Sequence, residues 1–63
     1  MRYHLLTATH KVKAQFETAQ DLNAFYDSLP PEERFFYAVV DTKEGRVIPG
    51  FVYMNLSDEE RFQ

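Results

Sequence analysis

His4 and His10 are the only imidazoles in this chain, and with one carboxylate they would make the smallest metal site its residues allow. On one extended strand, positions six apart share a face, but their Cα atoms then lie about 20 Å apart. Only a hairpin between them would bring the rings together, so no metal ligands are assigned. Ser28 and Ser57 are the only serines, and neither has a histidine near it in sequence to act as its base. The carboxylate pairs Glu32-Glu33 and Glu59-Glu60 have the chemistry for divided acid and base roles, but they stand at helix-start or loop positions that suit solvated charge. There is no cysteine, and Gly45 and Gly50 are the only glycines. A thiolate nucleophile and a glycine-rich phosphate loop are therefore both excluded. The chain reads as a non-enzyme, with no catalytic residue, no cofactor and no metal expected.

What remains is the chemistry of contact. Six phenylalanines and four tyrosines stand among 63 residues, with no tryptophan. Which of them are available depends on the elements that carry them. From Leu6 to Phe16 the even positions read Leu6, Ala8, His10, Val12, Ala14 and Phe16, and the odd ones Thr7, Thr9, Lys11, Lys13 and Gln15. This period-two alternation predicts a strand with one buried face. A single strand from Arg2 to Glu17 would be too long for so small a domain, so a break or a hairpin turn is expected near Ala8–Lys11. Thr18 then opens a helix, with Asp21 completing a capping-box-like arrangement. Leu22, Phe25, Tyr26 and Leu29 form one apolar stripe along it, and Pro30-Pro31 stops it.

Phe35–Asp41 and Arg46–Met54 read as two further strands. Between them, Thr42-Lys43-Glu44-Gly45 suits a type I turn with a glycine bulge, Gly45 taking positive φ. That turn would pair Val40 with Ile48, Ala38 with Gly50 and Phe36 with Val52. On the other face it would pair Val39 with Pro49, Tyr37 with Phe51 and Phe35 with Tyr53. Pro49 lacks a ladder donor, which places its strand at an edge or a kink. The set Phe36, Ala38, Val40, Ile48, Val52 and Met54 would then pack on Leu22, Phe25 and Leu29. Phe35, Tyr37, Phe51 and Tyr53 would be left on the opposite face as an aromatic patch of several hundred Å2, the kind of exposure that marks an interaction surface. The expected fold class is α+β: a small antiparallel sheet of three to four strands on one helix, in the order β(β)αββ.

Charge divides along the chain. The first sixteen residues hold Arg2, Lys11 and Lys13 and no acid, whereas the remainder holds four bases and ten acids, for a net charge of −3. An acidic chain is a poor generic binder of nucleic acid, because phosphate contacts supply most of that affinity. The longest apolar run, Phe35-Phe36-Tyr37-Ala38-Val39-Val40, is far too short to span a membrane, and no signal-peptide core precedes it. With no cysteine to form a staple, a cytoplasmic protein is expected. Residues 1–56 are taken as one small domain and 57–63 as an acidic C-terminal tail, where Ser57 and Glu60 repeat the capping-box pattern. Leu29-Pro-Pro-Glu-Glu-Arg-Phe35 is echoed by Leu56-Ser-Asp-Glu-Glu-Arg-Phe62, with Tyr26 and Tyr53 in matching places. Their surroundings differ, and the echo is read as coincidence.

The functional expectation is a protein-interaction module without catalysis. It would act as a small stoichiometric inhibitor or modulator of the accessory kind that phage and mobile-element genomes carry. Its partner would be a larger protein or a second copy, met through Phe35, Tyr37, Phe51 and Tyr53, with Lys11, Lys13 and Arg46 at the rim. Single-stranded RNA stacked on the same aromatics is the alternative, as is a purely structural homodimer. Neither a membrane nor a small-molecule substrate is expected as partner.

Overall fold

The alternating N-terminal stretch folds back on itself in the computed structural model, which describes every residue from Met1 to Gln63. Strand β1 (Tyr3–Leu6) pairs antiparallel with β2 (Val12–Phe16), joining Tyr3 to Phe16, His4 to Gln15, Leu5 to Ala14 and Leu6 to Val12. A bulge at this last step leaves Lys13 between pairs. The hairpin loop lies at the expected break although it contains no glycine. The Thr7 amide donates to the Lys11 carbonyl (2.8 Å) and the His10 amide to the Thr7 carbonyl (2.9 Å), while His10 takes the left-handed conformation at φ 65°. The loop also reverses the alternation. Tyr3 and Leu5 point inward from β1, and Ala14 and Phe16 from β2, so the expected even-numbered inner face holds only for Ala14 and Phe16, Val12 lying outward beyond the bulge.

Helix α1 (Ala19–Asp27) forms as its residues require. Thr18 sits in extended conformation, and its hydroxyl accepts from the Asp21 amide at 3.2 Å. Leu22 and Tyr26 are completely buried, and Phe25 and Leu29 half-buried, along the stripe. After α1 the expectation and the structure part. Pro30-Pro31 ends one helix and also starts another: Pro31 is the first residue of α2 (Pro31–Phe36), with Glu32 and Glu33 in its first turn. Proline at that position forfeits no hydrogen bond, and acids there complement the helix dipole. Phe35 and Phe36 are thus helical, and strand β3 begins only at Ala38 (Ala38–Asp41).

The turn also closes one residue earlier than expected. Asp41 faces Arg46 across β3 and β4 (Arg46–Pro49), so Val40 pairs with Val47, Val39 with Ile48 and Ala38 with Pro49. Gly45 does take positive φ, at 67°. The shift comes from the Asp41 side chain, whose Oδ1 accepts from the Lys43 amide (3.1 Å) and the Glu44 amide (3.4 Å). Aspartate at this position organises a turn through its own carboxylate, and Thr42 is drawn into the loop. A one-residue slip exchanges the faces. Val39 enters the core beside Ile48, which stays inward as expected, whereas Ala38 and Val40 point away from it, so the assignment is reversed in β3 alone.

Strand β4 is an edge strand, as Pro49 implied, in the order β2-β1-β3-β4. It stops at Pro49 and does not run on to Met54. The chain makes a single helical turn, α3 (Gly50–Tyr53). Gly50 explains why: a Cβ there would lie 2.1 Å from the carbonyl oxygens of Arg34 and Tyr37. Only glycine allows the end of α2 and the start of α3 to meet this closely, and the Tyr26 hydroxyl lies 2.8 Å from the Arg34 carbonyl and 3.0 Å from that of Gly50. The fold is therefore α+β, with four antiparallel strands and three helices. Its core is Tyr3, Leu5, Ala19, Leu22, Tyr26, Val39, Ile48, Tyr53 and Phe62.

The last of these belongs to the segment expected to be a free tail. Residues 57–63 instead fold onto the domain, where the Phe62 ring lies 5.7 Å from that of Tyr3 and 5.8 Å from that of Tyr53. Arg61 is buried beside it, with its guanidinium 4.9 Å from the Tyr53 ring centre and Nη1 2.9 Å from Asp27 Oδ1. The two echoed segments converge here, since Arg34 also reaches Asp27, at 4.0 Å, and Tyr26 packs edge-on to Tyr53 at 5.2 Å.

Candidate protein-docking surface

With its core on one side, the sheet presents its other face bare. His4 and Leu6 from β1, Val12 and Gln15 from β2, Ala38 and Val40 from β3, and Val47 and Pro49 from β4 share this face by register. The central-strand members are half-buried by their neighbours, whereas Val12 is 48% and Val47 61% exposed. None of the eight carries a carboxylate, guanidinium or ammonium group.

Three phenylalanines continue this face at one end. Phe35 and Phe36 end α2, and Phe51 follows Gly50 in α3; they are 48%, 63% and 52% exposed. Ring centres lie 5.2 Å apart for Phe35 and Phe36, edge-to-face, and 5.8 Å apart for Phe35 and Phe51. These are separations at which aromatic rings attract. Between the ridge and the sheet lies a cavity of about 330 Å3, lined by Ala8, the three phenylalanines, Tyr37, Gly50 and the sheet residues Ala38 and Pro49. Ridge, cavity and bare face are continuous. The total exposed area, 4085 Å2, matches the roughly 4,200 Å2 of a folded monomer of this mass. The amount of surface is ordinary, and its arrangement is not.

The structure sorts the residues singled out from sequence into three groups. Phe35, Tyr37 and Phe51 meet at the cavity, with the Lys13 ammonium 5.9 Å from the Tyr37 ring centre and Lys11 exposed on the neighbouring loop. Tyr53, expected beside them, is completely buried among Tyr26, Phe62 and Arg61. Its hydroxyl bonds Asn23, and burial pushes it up to about 12 against the partial opposition of Arg61. Arg46 lies elsewhere, over the ring of core residue Phe62 at 5.5 Å. The helical conformation of 31–36 brings Phe36 to the ridge and that of 50–53 buries Tyr53, because each replaces alternation by a turn. The signal that would have located Phe36 is Pro31-Glu32-Glu33 as a helix start.

The largest cavity, about 410 Å3, is polar and lies on the other side, between Arg2, Asp41, Arg46 and Glu59. Its Arg2 and Asp41 are already paired with each other. Arg2 grips Asp41 through Nε (3.0 Å) and Nη2 (2.9 Å) and holds that carboxyl below its ordinary range. No three side chains of His, Cys, Asp or Glu gather to hold a metal, and no helix is long and apolar enough to cross a membrane. The chain matches no protein-family model, and no curated protein and no solved structure is found to match it.

Proposed function

We propose that this chain is a protein-interaction module, a small stoichiometric modulator that binds protein through the ridge of Phe35, Phe36 and Phe51 and the bare face beside it. The observation that supports this reading is continuity. Three half-exposed phenylalanine rings, a cavity and an uncharged aliphatic sheet face form one surface on a domain whose core is filled without them. Aromatic anchors in a concave, desolvated setting with a charged rim carry most of the affinity in protein interfaces.

The reading is tested with tagged protein as bait in lysate of its own source, comparing the natural chain with Phe36→Ala and Phe51→Ala. Both side chains are exposed, so the variants keep their circular dichroism and thermal midpoint. Loss of a bound protein on either substitution, with little change on raising salt, supports the reading. Recovery of nucleic acid, lost steeply with salt and with Lys11→Glu and Lys13→Glu, would replace it by the RNA-stacking alternative.

A further inference from the structure

The inference that follows rests on that interaction reading and names the partner. We propose that the bare face takes a second copy of this chain, in a two-fold dimer that packs sheet against sheet.

Size sets the terms. Four strands about 4.8 Å apart, each offering about 13 Å of length, give a face of about 250 Å2 per copy. Two such faces bury about 500 Å2, well under the 1,200 Å2 or so at which specific association becomes stable. The ridge supplies most of the difference. At 48%, 63% and 52% exposure, three phenylalanines of about 200 Å2 each offer about 300 Å2 more per copy. Face and ridge together come to about 1,100 Å2, just under that threshold and in the class of weak, reversible interfaces. The dimer therefore needs both parts and is of micromolar strength or weaker.

Charge decides that the occupant is a copy. A two-fold contact sets a patch against itself, so any one-signed cluster on it would repel. This chain carries a net charge of −3, yet Leu6, Val12, Val40 and Val47 lie on a face without a carboxylate. Asp21 and Asp27 belong to α1 and Asp58 to the C-terminal segment, on the core side of the sheet. The border carries both signs, Lys11 before β2 and Lys13 at its bulge, and Glu32 and Glu33 on α2, the helix that ends in the ridge. A mixed border can pair with its own copy, whereas a foreign partner selected by charge would be met by one sign.

The test is analytical ultracentrifugation of the full chain from about 1 μM to about 1 mM, the range in which so small an interface half-dissociates. It is joined by methyl NMR of Leu6, Val12, Val40 and Val47 with a soluble paramagnetic probe. Val12→Lys and Val47→Lys sit at opposite edges and are exposed in the monomer, so both fold. The expected result is a mass that doubles with concentration, methyls that become shielded in step, and dissociation constants at least tenfold higher in both variants. A constant 7.5 kDa mass with methyls open to the probe would overturn the dimer and leave the interaction reading standing. A constant mass with shielded methyls would overturn both, since the face would then be covered within one chain. A dimer that both lysine variants leave intact would place the contact elsewhere and overturn the proposal.

Discussion

His10 and Gly45 hold the same left-handed conformation, at φ 65° and 67°, in the two hairpin loops, and only one of them is glycine. An L residue is penalised there by about 1 kcal/mol or more, whereas glycine is strained by neither hand but loses more freedom on folding. His10→Gly is therefore expected to stabilise the protein by about 0.5 kcal/mol, a rise in thermal midpoint of roughly 2–4 °C, and Gly45→Ala to cost about 1 kcal/mol. No atom lies near enough to clash with a Cβ at Gly45, so the loss would come from backbone conformation alone. Thermal melts of the two variants check both signs. Buried tyrosines predict the pH profile. Burial raises Tyr53 to about 12 and Tyr26 in the same direction, so the folded state keeps these protons longer than the unfolded chain does. Their contribution is complete below pH 10 and declines above it, for Tyr53 until about pH 12 by up to about 1.4 kcal/mol per unit. Asp41 acts at the other end. Arg2 lowers it, so its contribution is present above the ordinary aspartate range and is lost as pH falls through and below it. Urea titrations across pH, with Tyr53→Phe expected to flatten the alkaline limb, test the assignment.

Among the elements, the segment 57–63 has the most to lose. Phe62 is 7% exposed and contacts the rings of Tyr3 and Tyr53, and its carbonyl accepts from Asn23 Nδ2 at 3.1 Å. Removing a buried phenylalanine side chain costs about 3–5 kcal/mol, while a chain this long has a total stability of about 3–9 kcal/mol. Phe62→Ala is thus expected to remove about a third of the stability or more, measured by denaturant unfolding. Its counterpart in the echoed segment, Phe35→Ala, is expected to cost under about 1 kcal/mol, because that ring is half in water. The two Glu-Glu-Arg-Phe segments share composition, yet one serves the core and the other the surface. Arg61 fits the same account. Its guanidinium is held by Asp27 and lies over two tyrosine rings, so it closes the C-terminal segment onto α1 and α3.

At the scale of the whole molecule, α1 and the C-terminal segment cover one side of a four-stranded sheet, α2 packs on α3 at its end, and the other side has no cover of its own. If a second copy supplies that cover, the thermal midpoint of the natural chain rises with concentration by mass action, whereas that of Val47→Lys does not. Calorimetry over a hundredfold concentration range reads this directly. Phe36→Ala, by contrast, is expected to leave the monomer's midpoint within about 2 °C and to weaken association several-fold, because its ring packs on little besides Phe35.

Local chemistry along the chain was enough for much of this. The Thr18 cap and the Leu22, Phe25, Tyr26, Leu29 stripe determine α1. Period-two alternation with a break determines the β1–β2 hairpin, and Gly45 determines where the second hairpin turns. From these came the α+β class. Tertiary structure decided the rest, and in each case the deciding contact is distant in sequence. Asp41, gripped by Arg2 from 39 residues away, takes the turn amides and slips the register by one, which turns Val39 inward and Ala38 and Val40 outward. Gly50, pressed against the carbonyls of Arg34 and Tyr37, turns a β-prone Phe-Val-Tyr run into a helical turn and buries Tyr53. Phe62 is drawn from an acidic tail into the core. Face assignment in a sheet depends on single-residue registers, and a sequence of this length states its periods more clearly than its registers.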